Sequence, residues 1–248
     1  MLTDTDGIVL RQTKTSYNRT MVHLFTRRFG RISAGTSIGE KSKSKGAAAL
    51  KPFTHGRYEL FQGRETYNIN YAEVLKSYYG LGEDVDKYMH AAYVLEFTAK
   101  ALPEEMPAPA LLDLLLEFLG ILERRKKGLG TLVLAYQAKL LDMSGCGPSL
   151  DRCVICGEEK PAFGFSIPEG GIVCEECAAG VEKTGDSALI RCDKSGIVDV
   201  LKYLIDNPLQ KLDNIALNEE MGTRLQKILR EYAAHHLDIS DIKSEKLV

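Results

Sequence analysis

Met21-Val22-His23-Leu24-Phe25-Thr26-Arg27-Arg28-Phe29-Gly30-Arg31-Ile32-Ser33-Ala34 is the stretch that decides the fold of the first third of the chain. Met21–Thr26 is a short, largely apolar run. Arg31–Ala34 alternates polar with apolar and follows a glycine. The two read as strands joined by a hairpin turn at Arg28-Phe29-Gly30-Arg31. Working outward, Gly7-Ile8-Val9-Leu10 is an earlier apolar run, and Arg57-Tyr58-Glu59-Leu60-Phe61 and Tyr67-Asn68-Ile69-Asn70-Tyr71 alternate in the period of a half-buried strand. Several short strands joined by glycine-containing turns predict a small barrel over residues 1–80. Between its third and fourth strands, Gly39-Glu40-Lys41-Ser42-Lys43-Ser44-Lys45-Gly46 is too polar for the core and reads as a mobile basic loop.

From Asp84 the period becomes helical. Val85, Met89, Ala92, Tyr93, Leu95 and Glu96 open an amphipathic helix that ends before Pro103. Ala110–Leu122 is apolar nearly all round and predicts a buried helix, and Leu129–Met143 a third. Helical pattern resumes at Gly196–Ile205 and at Glu219–Leu237, where Leu225, Ile228, Leu229, Tyr232 and Ala233 share a face. The expected division is a barrel over 1–80, a helical domain over 81–149 and 181–248, and an inserted module over 150–180. The fold class is therefore α+β and multidomain.

The inserted module carries the strongest chemical signal: Cys153-Val154-Ile155-Cys156 and Cys174-Glu175-Glu176-Cys177, with 17 residues between the pairs. Two residues between cysteines let a tight turn aim both sulfurs at one ion, and the intervening loop brings the second pair to complete a tetrahedron. Four thiolates leave no open position, so the expected zinc is structural. Rubredoxin-like iron would use the same ligands. Two disulfides are the other reading, but the start of the chain is acidic, lacks the apolar region of a secretory signal, and predicts a reducing compartment. A thioredoxin-like pair appears once and beside a βαβ pattern, which is absent here. Cys146 and Cys192 lie outside the pattern and read as buried thiols.

The 248 residues carry a net charge of −2, which hides an asymmetry. Residues 1–80 hold 13 Lys and Arg against 6 Asp and Glu, a net of +7, while the remainder holds 19 against 28, a net of −9. A basic module joined to an acidic one suggests a polyanionic partner for the first. The cations that would meet it are Arg27, Arg28, Arg31, Lys41, Lys43, Lys45, Lys51 and Arg57, with Arg64 nearby. A charge run is often only a solvated face. Here the cations sit in turns and a loop, interleaved with Phe25, Phe29, Phe53, Tyr58, Phe61 and Tyr67, the mixture that single-stranded nucleic acid favours. Alternation sends most of those rings inward, leaving Phe53 and Tyr58 as stacking candidates. Arg124-Arg125-Lys126-Lys127 closes the apolar helix, where cations suit the carbonyl end. Docking of an acidic peptide tail is the alternative for that cluster.

No residue pattern points to catalysis. His23, His55, His90, His235 and His236 join no nucleophile or acid in a motif, and Gly128-Leu129-Gly130 lacks the Gly-Lys-Ser/Thr ending of a phosphate loop. No apolar run reaches the length of a membrane span.

The order of these parts resembles the RecO family of bacterial recombination mediators, over nearly the whole chain. Gly7–Leu10 is similar to the family's opening strand. Leu24–Ile32 resembles its LFTREHGKI segment, and Lys43-Ser44-Lys45 with Ala49-Leu50-Lys51-Pro52-Phe53 its KS…LQPF segment. Leu134–Gly145 is similar to its FELKLLDLLGY helix, and Glu231–Ser244 to its closing segment. The chain departs at Arg19, where the family usually has an acidic residue. The resemblance implies an OB-fold barrel, a helical domain and a zinc module in a non-enzymatic DNA repair protein of the RecFOR pathway. It implies binding of single- and double-stranded DNA, strand annealing and help in loading RecA. It also implies RecR and the acidic C-terminal tail of single-stranded-DNA-binding protein as partners, in the bacterial cytoplasm and at the nucleoid during repair. An RNA-binding zinc-ribbon protein linked to translation is the competing reading, since OB barrels serve both nucleic acids.

Overall fold

The structure is a computed structural model that describes residues 2–14, 20–38, 45–63, 66–181, 189–192 and 196–244. Five strands form the first layer: β1 Leu2–Lys14, β2 Thr20–Thr26, β3 Gly30–Thr36, β4 Thr54–Gln62 and β5 Tyr67–Ser77. They pair in the order β1-β2-β3-β5-β4, with β4 returning to β1. β1 is long enough to serve two neighbours. Its first half runs antiparallel to β4, from Leu2 opposite Phe61 to Ile8 opposite His55. Its second half, from Gly7 opposite Thr26 to Lys14 opposite Thr20, runs antiparallel to β2, with a bulge between Val9 and Arg11. The seam between β3 and β5 is parallel and only three residue pairs long. Such a short seam is the partly open closure of an OB-type barrel.

The barrel is filled by the inward set of each strand, including Val9, Val22, Leu24, Ile32, Tyr58, Leu60 and Ile69. A single helical turn, α1 Lys45–Ala49, plugs one end with Ala49 and Leu50. The Tyr58 hydroxyl donates to the Ala49 carbonyl at 2.8 Å. Tyr58 is wholly buried, so the expectation that its ring stacks on a base is overturned. Tyr58 shares the inward side of β4 with Leu60, and its hydroxyl finds its partner in the plug. Of the basic loop expected over residues 39–46, residues 39–44 lie outside the described residues, and Lys45 and Gly46 open the helical turn α1.

Helices α2 Val85–Ala101 and α3 Pro109–Arg124 follow. Asp84 caps α2 by accepting from the Asp86 and Lys87 N–H groups. The chain separates into two compact units, Met1–Arg124 with Lys243–Val248, and Arg125–Ile242. The division falls between α3 and the next helix, inside the segment expected as one helical domain over 81–149. Its cause is the density of links from the barrel to α2, α3 and their connection. The Gly30 backbone lies against Met106 so closely that a Cβ would sit 2.1 Å from the Met106 carbonyl oxygen. The Tyr78 hydroxyl donates to the Leu116 carbonyl at 3.1 Å. The tail closes on the same unit, with the Lys243 and Ser244 N–H groups and the Ser244 hydroxyl on the Glu96 carboxylate.

In the second unit, α4 Leu129–Leu141 is buried almost along its whole length and packs with α6 Ile197–Asp206 and α7 Glu219–Leu237. α4 stops short of Met143. The chain widens into a π-type turn over Asp142–Cys146, with Gly145 at φ +79°. The cysteine segment holds β6 Gly164–Ser166, β7 Gly171–Val173, α5 Glu175–Val181 and β8 Leu189–Arg191. The three strands make a sheet in the order β7-β6-β8. Because β8 pairs with β6, this sheet extends beyond the 150–180 expected for the module.

Candidate metal centre and nucleic-acid interface

Cys153 and Cys156 lie on a turn closed by the Gly157 N–H on the Cys153 carbonyl, 2.8 Å, with Gly157 at φ +76°. The left-handed backbone there suits glycine. Cys174 follows β7, and Cys177 lies in the first turn of α5, where the Ala178 N–H closes on the Cys174 carbonyl at 3.0 Å. The pairs thus sit on two turns beside one small sheet. All four Sγ atoms lie within 4.8 Å of one another, and those of Cys156 and Cys174 are 4.0 Å apart. A tetrahedron of thiolates around one ion at about 2.3 Å has edges of about 3.8 Å, so the set fits a metal ion.

The protons on these sulfurs point the same way. Burial pushes the Cys153 thiol up, but the N–H groups of Cys156, Cys174 and Ile155 outweigh it and bring it down to about 6. Cys177 is pushed up to about 12, first by its hydrogen bond with the Cys174 sulfur and then by burial. The Glu158 N–H lowers Cys156, and burial with the neighbouring sulfurs more than reverses it. Three of the sulfurs thus shift in opposite directions through one another and the backbone, and a divalent cation bound among them would take the place of their protons. Of the remaining cysteines, Cys192 is buried as expected, whereas Cys146 is only half-buried.

On the barrel, the structure divides the expected cations. Arg27 is held between two carboxylates: Nε lies 3.0 Å from Asp6 Oδ1 and Nη2 2.7 Å from Asp113 Oδ1. Arg31 donates to the Leu102 carbonyl at 3.0 Å and pairs with Glu104 at 3.1 Å. Both are struts that tie the β2–β3 hairpin to the rest of its unit. Arg57 pairs with Glu73 at 3.2 Å. Arg28 and Lys51 are exposed, and the Arg28 guanidinium lies 5.9 Å over the Phe29 ring. Lys41, Lys43 and Arg64 lie outside the described residues, as does the Lys45 side chain.

The two faces of the barrel differ in charge. Across β1, β4 and β5, Asp4 opposes Glu59, Asp6 opposes Arg57, and Arg57 opposes Glu73, which gives a face poor in net positive charge. Across β1, β2 and β3, His23 opposes Arg11 on one side and Ser33 on the other. Its ring bridges Thr13 Oγ1 at 3.1 Å and Ser33 Oγ at 2.9 Å. Burial first, then the charges of Arg11 and Arg31, hold the His23 pKa below 6.5. Arg11 is exposed on this second face and absent from the expected set. The signal for it was its place directly after the apolar run Gly7–Leu10.

Within Arg124–Lys127, Arg124, Lys126 and Lys127 are exposed and Arg125 is buried. Arg124 ends α3 and its Nη1 donates to the Gly120 carbonyl at 3.2 Å. Arg125 is 3% exposed. Its guanidinium donates to the carbonyls of Lys127 at 2.7 Å, Leu212 at 2.8 Å and Ile215. A docking role for Arg125 is thereby overturned, because its donors are consumed inside the fold. Among the histidines, His55 meets Asp6 at 3.1 Å and His236 meets the Ile167 carbonyl at 2.7 Å. No helix among the described residues is long and apolar enough to cross a membrane.

Two family models match the chain: Recombination protein O N terminal over residues 1–78 and Recombination protein O C terminal over residues 82–246. A protein of Alkaliphilus metalliredigens named DNA repair protein RecO is 32% identical over 239 residues, 96% of this chain and 95% of that one. One of Listeria monocytogenes with the same name is 30% identical over 245 residues, 98% and 92% of the two chains. A third, from Caldanaerobacter subterraneus subsp. tengcongensis, is 28% identical over 241 residues, 97% and 95%.

Proposed function

The chain belongs to the RecO family of DNA repair proteins, and on that premise we propose that it is a non-enzymatic mediator that binds DNA through its barrel. The observation that carries this reading is the charge division of the barrel, in which Arg11, Arg28 and Lys51 are exposed while the β1-β4-β5 face carries Asp4, Glu59 and Glu73. Phosphates approach the first set and avoid the second. Lys41, Lys43 and Lys45 extend the cationic set in sequence. Within the pathway, the protein binds single- and double-stranded DNA, promotes annealing and helps load RecA. It does so with RecR and with the tail of single-stranded-DNA-binding protein. The ion of the four-cysteine centre is zinc, held by Cys153, Cys156, Cys174 and Cys177. It supplies a closed structural crosslink and no reactive position.

Titration of a labelled oligothymidylate tests this. Affinity falls steeply with salt: three phosphate contacts correspond to a roughly 20-fold loss between about 50 and about 200 mM salt. Charge reversal at Arg11 and Lys51, and separately at Lys43 and Lys45, weakens binding and slows annealing of complementary strands. Salt-independent binding, or an RNA competitor that displaces DNA at lower concentration than DNA itself, would overturn the assignment.

A further inference from the structure

Phe53 stands at φ +61°. That is the left-handed region, uncommon for any residue but glycine and rare for one of this size. Its carbonyl accepts the Tyr78 N–H at 3.0 Å, so the chain is held in this conformation at the start of β4. The ring is half-buried and meets Tyr88 edge to face, with centroids 5.5 Å apart and planes at 66°. Tyr88 lies in the first turn of α2 and is 45% exposed. A strained backbone that turns a large ring towards another exposed ring, instead of into the core, calls for a use at the surface.

Cations stand on the barrel side of the pair, while Asp84 and Asp86 stand at the start of α2. Lys51 is exposed two residues before Phe53. The Leu50 carbonyl beside it accepts from Gln12 Nε2 at 2.6 Å, which ties this corner to the β1 segment that carries Arg11. Lys76, half-exposed, lies on the neighbouring strand opposite His55 and is paired with Glu123 at 3.8 Å, which leaves Lys51 as the cation for a phosphate.

We infer that Phe53 and Tyr88 form a stacking platform for the bases of single-stranded DNA, with Lys51 neutralising the adjacent phosphate. The inference rests on the DNA-binding reading above. Stacking is tolerant of sequence and requires unpaired bases, so the platform favours single strands over duplex. The exposed Tyr88 face supplies one aromatic surface, and the constrained Phe53 ring fixes its tilt.

The test uses the full chain and a fluorescent oligothymidylate, titrated at several salt concentrations, with an abasic oligomer of equal length as control. Tyr88→Ala and Phe53→Gly each weaken binding about tenfold without changing the slope of log affinity against log salt. Tyr88→Phe binds as wild type does. Lys51→Ala lowers the slope instead. Wild type and Tyr88→Ala bind the abasic oligomer equally. Phe53→Gly relieves the left-handed backbone, so its melting temperature together with that of Tyr88→Ala reports any loss of fold. Ring variants that bind oligothymidylate as tightly as wild type would overturn the platform and leave DNA binding standing. A wild-type protein that binds no oligonucleotide would overturn both.

Discussion

Asp6 gathers Arg27 and His55 on one carboxylate, at 3.0 and 3.1 Å. Burial raises its pKa, and the hydrogen bonds from Arg27 and His55 more than reverse the effect, leaving it below 3.8. A carboxyl depressed in the folded state stabilises fully above its unfolded value of about 3.9, and the contribution disappears as pH falls through the folded value. Asp6→Asn is therefore expected to cost about 1–3 kcal/mol at neutral pH, with the gap closing in acid. Urea midpoints from pH 7 to pH 3 measure this, and a gap that stays constant with pH would refute it. Gly30 is another position where the structure restricts the side chain. It stands at φ +67° and touches the Met106 backbone, so Gly30→Ala carries both a backbone and a contact cost. We expect a loss of about 2 kcal/mol or more, read from thermal unfolding.

At the scale of the element, the cysteine centre holds together pieces too small to persist alone. β6, β7 and β8 have three residues each, and a sheet of that size has little apolar area to bury. Its local core is Cys153, Val173, Cys174 and Ala178, backed by Phe163 and Leu189. Half of the buried positions in that cluster are cysteines of the candidate metal centre, so an ion bound there would complete the core. Chelation, or Cys174→Ser, is expected to unprotect the amides of the module between Cys153 and Cys192 in hydrogen exchange while the barrel strands stay protected. Metal analysis should give one zinc per wild-type chain and a deficit in the variant. Loss of protection throughout the barrel would contradict the local role. The paired cysteines are plain in the sequence. The strands are not, because three residues are too short for alternation to register.

At the scale of the molecule, the barrel does not end where its strands do. The family models change at residues 78–82, whereas compactness changes at Arg124. Arg27 on Asp113, Arg31 on the Leu102 carbonyl and Tyr78 on the Leu116 carbonyl all cross the earlier boundary. A fragment ending at 80 is expected to unfold at a lower temperature than one ending at 124; equal melting temperatures would show that these links contribute nothing.

The sequence by itself determined the period of the barrel strands and of the longer helices, the turn at Gly30, the four paired cysteines and the basic sign of the first 80 residues. These are local properties: alternation, backbone permission, short spacing and composition. Only the tertiary structure decided which cations face solvent. Arg27 and Arg28 are neighbours in the chain, yet Arg27 is held by carboxylates 21 and 86 residues away while Arg28 remains exposed. Likewise Tyr58 and Phe53 were equal candidates until α1 covered one and α2 met the other. Pairing across such distances depends on how strands and helices come together in space, which no local pattern records.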